Sequence, residues 1–316
     1  MFCLALKSND PFFNLAIEEI LLKKSREEFL ILCINDRAVI IGKHQSGHRE
    51  ADTKFISQNH IPVIRRISGG GTVYHDPGNI NFSFIRQSEP GKQVDFRKYT
   101  LPVIDFLASI GIDATFGGKN DLQVDNFKVS GNAEHVFHNR VLHHGTLLFR
   151  CSLDMLRKSI RKDTSKYDTR AVASNPSPVM NLYEKTNCIE DTGDFMKMML
   201  DYFLLKIPGA QPYELSGDEA AMAESLAETK YKTWEWNWAY GPEYHFRNTF
   251  GISGVEHECR MYVKDGIIRE CSITGSSQMN IFSGRLTGCR HMVDDLSDLF
   301  RKEGIILGEE EIYGFF

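Results

Sequence analysis

The chain has 316 residues, of which 42% are hydrophobic and 25% charged, and its formal net charge of −5 argues against a general nucleic-acid binder. The length fits one large and one smaller domain, and without 18 consecutive apolar residues or a signal-peptide pattern we expect a cytoplasmic protein that does not enter membranes. The seven cysteines are odd in number and lack C-x-x-C spacing, which argues against a disulfide framework or a zinc site.

The first part of the chain is predicted to alternate helices and strands. Asp10-Pro11 is typical of a helix start, because Asp caps free backbone N–H groups and Pro fits the first turn. In chain order we then predict strands over Phe29–Ile34 and Ala38–Ile41, a helix over Ala51–Asn59, a strand over Ile61–Ile67, a glycine-rich turn over Ser68–Gly71 and a strand over Asn81–Ile85. The apolar spacing of Leu101, Ile104, Leu107 and Ala108 predicts a helix that ends at Gly111.

Residues 112–150 are predicted to form a run of strands. Asp125-Asn126 lies between two short apolar runs and is typical of a hairpin turn, and His138–Arg140 occupies the same position in a second hairpin. Beyond these strands, we predict that Ser152 caps a short helix and that Asp194–Leu205 is helical. The polar residues between them, 162–178, are predicted to form a surface loop.

The chain changes character near residue 212, where prolines and glycines precede an acidic, alanine-rich helix. We therefore predict two domains, 1–212 and 213–316. In the second, Asp265-Gly266 predicts a hairpin turn, and Met292, Leu296 and Phe300 predict a final helix.

Three segments carry residues suited to chemistry, and the first runs R-R-I-S-G-G-G-T-V-Y-H-D from Arg65 to Asp76. Three glycines after a strand expose backbone N–H groups and let a ligand approach closely. Arg65 and Arg66 add fixed positive charge suited to phosphate or carboxylate. The alternative is a tight turn beside a solvated arginine pair, because glycine-rich motifs alone are not specific.

The second segment comprises Asn120–Leu122 and Lys128–Ala133. A strand lysine followed by small residues leaves room for a ligand, and its ammonium can neutralise an α-phosphate. An exposed strand lysine without a ligand is the alternative interpretation.

The third segment is H-H-G-T-L-L from His143 to Leu148. A metal site is disfavoured, because adjacent strand side chains point to opposite faces and further ligands at metal spacing are missing nearby. We expect one histidine to face a pocket and the other to face outward.

Together the three segments resemble the lipoate–protein ligase A family. The pattern R-R-x-S-G-G-G-x-V-x-H-D-x-G-N is matched from Arg65 to Asn79, and N-D-L with K-x-S-G-x-A is matched at Asn120–Leu122 and Lys128–Ala133. Gly42–Gln45 resembles the family's G-[RK]-x-Q loop, and Trp234–Trp238 resembles the start of the accessory domain of two-domain members.

The resemblance implies an α/β (α+β) fold: a large biotin/lipoate-ligase-like catalytic domain with a mixed β-sheet, followed by a smaller α+β accessory domain. It also implies that lipoate reacts with ATP and Mg²⁺ to give lipoyl-AMP, from which the acyl group passes to a lysine of a lipoyl carrier domain. The implied carriers are E2 subunits of 2-oxoacid dehydrogenase complexes and the H protein of glycine cleavage. Because the acyl tail is apolar, we expect an apolar groove near Val129 and Leu147.

The resemblance gives Lys128 the catalytic role, since it corresponds to the lysine that touches both the acyl and phosphate groups. Mg²⁺ is expected on the ATP phosphates, with Asp121 as one candidate protein ligand. The implied ATP- and lipoyl-AMP-binding residues are Arg66, Ser68, Gly69, Gly70, Gly71, Thr72, Val73, Tyr74, His75, Asn79, Asn120, Asp121, Lys128, Ser130, Gly131, Ala133, His144, Gly145 and Thr146.

Two other functions stay open at this point. An ATP-independent octanoyl or lipoyl transferase needs a nucleophilic cysteine near the acyl group, and here Phe116–Lys119, ahead of the lysine motif, contains none. Cys151 is expected to be structural. A non-catalytic lipoyl or nucleotide sensor would be indicated by loss of Lys128 or by a helix-turn-helix segment, and we find neither.

Overall fold

A computed structural model describes residues 1–88, 94–118, 120–186 and 189–316. The strands, in chain order, are β1 (Phe2–Ala5), β2 (Phe29–Ile34), β3 (Ala38–Ile41), β4 (Val63–Arg65), β5 (Val73–His75), β6 (Asn79–Gln87), β7 (Thr115–Gly117), β8 (Asp121–Val124), β9 (Phe127–Phe137), β10 (Arg140–Leu148), β11 (Tyr167–Asp168), β12 (Gln211–Pro212), β13 (Tyr244–Ile252), β14 (Val255–Lys264) and β15 (Ile267–Thr274).

The helices, again in chain order, are α1 (Pro11–Lys24), α2 (Gly47–Glu50), α3 (Thr53–Gln58), α4 (Phe96–Ser109), α5 (Leu153–Ser159), α6 (Thr192–Lys206), α7 (Gly217–Leu226), α8 (Ser277–Leu286) and α9 (Val293–Lys302). Short 3₁₀ turns cover Leu182–Lys185 and Glu311–Phe315, and π-helical turns cover Ala227–Tyr231 and Glu235–Ala239. Within the described ranges no helix is both long and apolar enough to cross a bilayer.

The chain forms two compact units that are each discontinuous in sequence. The first unit contains Met1–Lys43, Ile64–Arg157 and Asn175–Lys232, and the second contains His44–Val63, Lys158–Ser174 and Thr233–Phe316. Residues 213–232 thus belong to the first unit, and the domain division at residue 212 stays a prediction.

The first unit is built on an eight-stranded mixed sheet, in the order β12-β1-β2-β6-β10-β9-β8-β7. Parallel pairing joins β1 to β2 and to β12, whereas β2, β6, β10, β9, β8 and β7 pair antiparallel along the rest of the sheet. This mixed sheet with its helices confirms the expected α/β class. A second sheet has the order β4-β3-β5, and the glycine-rich segment connects β4 to β5.

One face of the large sheet is covered by α4 and α6, which form the main apolar core with it. Buried members of this core include Phe82 on β6, Phe106 on α4 and Phe203 on α6. Pro102 lies inside α4. The predicted apolar face of this helix was partly wrong, because Leu101 is 47% exposed while Tyr99, Val103, Phe106 and Leu107 are buried.

The second unit contains the antiparallel sheet β11-β13-β14-β15 and helices α8 and α9, which bury Phe282 and Phe300 against it. The hairpin between β14 and β15 turns at Asp265-Gly266, as predicted, and both residues have positive φ. The last helix begins after Met292 and buries Leu296 and Phe300, as predicted.

Candidate active site

The glycine-rich loop between β4 and β5 is supported by Arg66, which lies buried directly before it. The guanidinium donates from Nη2 to the carbonyl oxygens of Gly69 at 2.6 Å and Gly71 at 2.7 Å. It also donates from Nη1 to Ile40 O at 3.1 Å and from Nε to Ser68 Oγ at 3.0 Å. Burial lowers the pKa of Arg66 to about 10, so it stays charged at neutral pH. Arg66 therefore fixes the conformation of the loop.

The same contacts determine which way the loop amides point. In a trans peptide the N–H points opposite to the preceding C=O, so the N–H groups of Gly70 and Thr72 face away from Arg66. Gly70 has φ +88°, a region that favours glycine, and a Cβ there would lie 2.9 Å from Arg66 Nη2. Backbone amides that point away from the cation in this way are suited to an anion.

Lys128 on β9 carries its ammonium across the neighbouring Gly131. A Cβ at Gly131 would lie 3.2 Å from both Cε and Nζ of Lys128, and Val73 on β5 borders the same space. The Nζ atom forms an ion pair with Asp121 Oδ1 at 3.0 Å, and the lysine side chain is 23% exposed. A carboxylate and a glycine thus orient this cation, which remains accessible from solvent.

The lysine, histidine and glycine motifs meet on one face of the large sheet. His144 pairs with Ala133 in the β9–β10 ladder, and the Gly131 N–H donates to Thr146 Oγ1 at 3.3 Å. A Cβ at Gly70 would lie 3.5 Å from that of Ala133, which places the glycine loop over the same face. Three segments that are distant in sequence therefore converge.

The two adjacent histidines point to opposite faces, as expected, but the expectation that one faces outward was wrong. His143 is fully buried on the α4 side, where its Nδ1 lies 2.9 Å from Glu134 Oε1 and its ring stacks on Tyr99. Burial lowers the pKa of His143 against the opposing effect of Glu134. α4 covers this face, so the histidine that faces away from the glycine loop is also buried.

Asn120 and Gly145 are placed where they hold strands together. The side chain of Asn120 donates to Asn132 O at 2.6 Å, and that of Asn132 donates to Asn120 O at 2.9 Å and to Ser130 Oγ at 3.2 Å. A Cβ at Gly145 would overlap the side chains of Asn132 and Phe82. These contacts fix the part of the sheet from which Lys128 extends.

Tyr74, His75 and Asn79 lie buried around the β5–β6 connection. Burial raises the pKa of Tyr74 to about 12 and lowers that of His75 to about 3. His75 Nδ1 lies 2.9 Å from the side-chain nitrogen of Asn35, and the Asn79 side chain donates to Asn81 Oδ1 at 2.9 Å. These side chains support the strands that flank the glycine loop.

The apolar groove for the acyl tail stays a prediction, but the side chains of Val129 and Leu147 do not line it. Both side chains are fully buried in the main core, because they point to the face that α4 and α6 cover. A β-bulge near Lys128 changes the alternation of side chains along β9 and allows Val129 to face the core.

Cys151 is buried at the end of β10, as expected for a structural thiol. Burial raises its pKa, and the nearby Asp76 carboxylate acts in the same direction. Deeply buried Cys33 also has a raised pKa, again mainly through burial. A thiol nucleophile needs a lowered pKa, so neither group is prepared for that chemistry.

Within residues 1–88, 94–118, 120–186 and 189–316 there is no group of three or more His, Cys, Asp or Glu side chains that could hold a metal ion. Asp121, the one residue considered for Mg²⁺, is paired with Lys128. A magnesium ion that enters with ATP phosphates needs few protein ligands, and the residues present fit that arrangement.

The sequence analysis missed Glu18, which reaches the same sheet face from α1. Its Oε2 lies 2.9 Å from His144 Nδ1, and its other oxygen accepts a hydrogen bond from Ser83 on β6. The sequence did offer one indication of this role, the acidic pair Glu18-Glu19 inside a run of apolar helix residues. Buried carboxylates are rare without partners, so such a pair predicts polar partners elsewhere in the chain.

The Glu19 carboxylate points away from His144 and contacts residues near the C-terminal end of the first unit. It lies 2.6 Å from Lys23 Nζ, from Lys230 Nζ and from Tyr231 Oη. Burial raises the pKa of Glu19, but these three hydrogen bonds outweigh it and hold the pKa below its ordinary value.

Sequence comparison identifies relatives over nearly the whole chain. The model of the lipoyl protein ligase A/B catalytic domain matches residues 10–204. Lipoate–protein ligase 1 of Staphylococcus aureus is 32% identical over 313 residues, which cover 97% of this chain and 93% of that protein.

Two solved structures share the fold of the described chain. A bi-partite lipoate protein ligase from Thermoplasma acidophilum, studied with its E2 lipoyl domain, aligns with a TM-score of 0.64 and 26% identity over 75% of this chain and 95% of its own. A lipoate–protein ligase A bound with ATP aligns with a TM-score of 0.63 and 26% identity over 75% of this chain and 97% of its own.

Proposed function

This chain belongs to the lipoyl protein ligase A/B family, and we propose that it activates lipoate with ATP to lipoyl-AMP and then transfers the lipoyl group to a lysine of a carrier protein. It is an enzyme of the ligase class, like its relatives. The expectation of a lipoate–protein ligase is thus confirmed at the level of the family.

The observation that carries the proposal is the placement of Lys128 beside the glycine loop. A partly buried ammonium and the glycine loop lie over one sheet face, where a Cβ at Gly70 would lie 3.5 Å from that of Ala133. Both half-reactions develop negative charge at the junction of acyl and phosphoryl groups, and fixed donors there stabilise both transition states.

The chemistry follows from this arrangement. In the first step a carboxylate oxygen of lipoate bonds to the α-phosphorus of ATP, and the bond to pyrophosphate breaks. In the second, the neutral amine of a carrier lysine bonds to the acyl carbon, AMP leaves with the electron pair of the broken C–O bond, and the amine releases one proton to solvent. Lys128 is oriented to neutralise the phosphoryl charge in both steps, and the Gly70 amide adds an uncharged donor to it.

The binding set that we propose is the one expected from sequence, divided by how each residue acts. Lys128 and the loop Gly69–Val73 face the ligand. Arg66, Ser68, Asn120 and Gly145 act by holding the backbone. Tyr74, His75, Asn79, Asp121, Ser130, Gly131, Ala133, His144 and Thr146 complete the proposed set. Mg²⁺ bound to the ATP phosphates supplies further charge neutralisation.

The proposed carriers are the lipoyl domains of E2 subunits and the H protein of glycine cleavage. The T. acidophilum ligase and its E2 lipoyl domain support the E2 assignment. A cytoplasmic location stays a prediction.

Pyrophosphate exchange tests the first half-reaction directly. The purified chain is incubated with lipoate, ATP, Mg²⁺ and labelled pyrophosphate, without any carrier. Label should enter ATP only when lipoate is present. Binding of lipoate and ATP without exchange would instead support the non-catalytic sensor.

The transferase alternative predicts a different requirement. An octanoylated carrier should then donate its acyl group to a second carrier without ATP, through a thioester on the enzyme. The raised pKa of buried Cys151 disfavours this route. Mass spectrometry of both carriers after incubation without ATP distinguishes the two functions.

A further inference from the structure

We propose that Glu18 is a positioning residue for this reaction, acting through His144 and Ser68 on the glycine-rich loop. The inference rests on the proposed function and adds a residue outside the motifs that carry it. We call the hydrogen-bonded series Glu18–His144–Ser68 the α1 relay.

The α1 relay is continuous and protected from water. His144 Nδ1 lies 2.9 Å from Glu18 Oε2, and His144 Nε2 lies 2.6 Å from Ser68 Oγ. The three residues are buried, with relative exposures of 6% for Glu18, 9% for His144 and 0% for Ser68. A water molecule therefore cannot easily replace either contact.

The direction of each proton in the relay follows from the groups at its ends. The Arg66 guanidinium only donates, so Ser68 Oγ accepts from its Nε at 3.0 Å. The Glu18 carboxylate accepts from Nδ1, and we assign His144 as the neutral Nδ1–H tautomer, in which Nε2 is an acceptor. The Ser68 hydroxyl then donates to Nε2, and every polar atom along the relay is matched.

The fixed tautomer of His144 determines the position of the loop. Ser68 is the first loop residue, and its carbonyl also accepts the Lys43 N–H at 2.8 Å. Arg66 holds the loop through Gly69 and Gly71, while the relay holds its first side chain from the side of α1. Without the carboxylate, His144 is free to place its proton on Nε2, which reverses the bond to Ser68.

Glu18→Gln tests this role with little change in volume, and Glu19→Gln is the matched control. Glu19 is the adjacent buried carboxylate of the same helix, but it bonds to Lys23, Lys230 and Tyr231 rather than to the relay. A carboxylate that orients a metal-bound histidine is typically worth about 10–100-fold in activity, and we take the same range for the orientation of His144. We expect Glu18→Gln to lower kcat of pyrophosphate exchange by about that factor, and Glu19→Gln to leave kcat within about twofold.

A double-mutant cycle separates positioning from general destabilisation. In a Ser68→Ala background the relay is already broken, so Glu18→Gln should then lower kcat by less than about twofold. Equal losses of kcat in both backgrounds would overturn the proposal. Unfolding in urea is measured for each variant to confirm that it is folded in the assay.

Nitrogen NMR of the histidine ring gives a readout that needs no turnover. In the unsubstituted protein His144 should be the Nδ1–H tautomer, and Glu18→Gln should shift it and the amide signals of Gly69–Gly71, whereas Glu19→Gln should not. An Nε2–H tautomer in the unsubstituted protein would overturn the relay even if exchange is normal. A correct tautomer without lipoate-dependent exchange would overturn the proposed function, and with it the role of Glu18 in catalysis.

Discussion

The ammonium of Lys128 and the carboxylate of Asp121 lie 3.0 Å apart at the edge of the glycine-loop face. The pair is partly exposed, and such pairs contribute only about 0–1 kcal/mol to stability. The ion pair orients the lysine, because Asp121 holds the ammonium over Gly131, where we propose that a phosphate binds.

We therefore predict that Lys128→Ala abolishes both half-reactions and leaves the fold intact. Removal of one fixed charge-stabilising donor typically costs about 10²–10³ in rate, and the free energy of unfolding should fall by less than about 1 kcal/mol. Arginine at this position should not restore activity, since a planar guanidinium does not replace a compact ammonium. Supplying synthetic lipoyl-adenylate bypasses the first step. Normal transfer from it by Lys128→Ala would restrict the lysine to adenylation.

The glycine loop offers a matched pair of substitutions. At Gly70, φ is +88° and a Cβ would crowd Arg66, whereas at Gly69 a Cβ would have no neighbour within 4 Å. Gly70→Ala should lower the free energy of unfolding by about 1–2 kcal/mol because of its left-handed backbone. Gly69→Ala should lower it by less than about 0.5 kcal/mol. Urea denaturation of the two variants measures the difference, and equal stabilities would contradict the loop conformation.

Cys151→Ala should retain ligase activity. The thiol is buried and its pKa is raised, so it contributes packing rather than a nucleophile. ATP-dependent transfer to a carrier should stay within about threefold of the parent, as for a site without chemistry. Complete loss of activity in a folded Cys151→Ala protein would favour the thiol-dependent transferase.

Stability should fall in weak acid because buried histidines resist protonation. Burial lowers the pKa of His75 to about 3 from its ordinary value of 6.5, so between these pH values the unfolded chain binds the extra proton. Stability from this group is complete above pH 6.5 and is lost as pH falls toward 3. The slope approaches about 1.4 kcal/mol per pH unit for one such group. Urea denaturation from pH 7.5 to 4.5 should show a shallower slope for His75→Gln than for the parent.

Local signals in the sequence predicted many elements correctly. Asp10 caps α1 by accepting the Phe12 and Phe13 N–H groups, and the β8–β9 turn has positive φ at Asp125 and Asn126. Such features depend on neighbours within a few residues. The predicted strand Ile61–Ile67 is shorter in the structure, where β4 covers Val63–Arg65.

Contacts between distant residues were harder to predict. Glu18 contacts His144, which is 126 positions away in the sequence. The apolar helix pattern around Glu18 did not predict which residue its carboxylate contacts. The burial of His143 and Val129 likewise depends on α4 and α6 covering one sheet face. Strand alternation predicted that the side chains of His143 and His144 point to opposite faces of the sheet. It could not predict that other elements cover both faces.

The adjacent carboxylates of α1 connect two parts of the first unit through a single helix. Glu18 binds the relay to the glycine loop, and Glu19 binds Lys230 and Tyr231, close to the end of the unit at Lys232. Neighbouring helix residues differ in direction by about 100°, since 3.6 residues make one turn. A rotation or slide of α1 therefore strains both carboxylates at once. By thermodynamic linkage, only a ligand whose binding moves α1 would change the free energy of the Glu19 contacts, so the small effect expected of Glu19→Gln corresponds to an α1 that stays in place during the reaction.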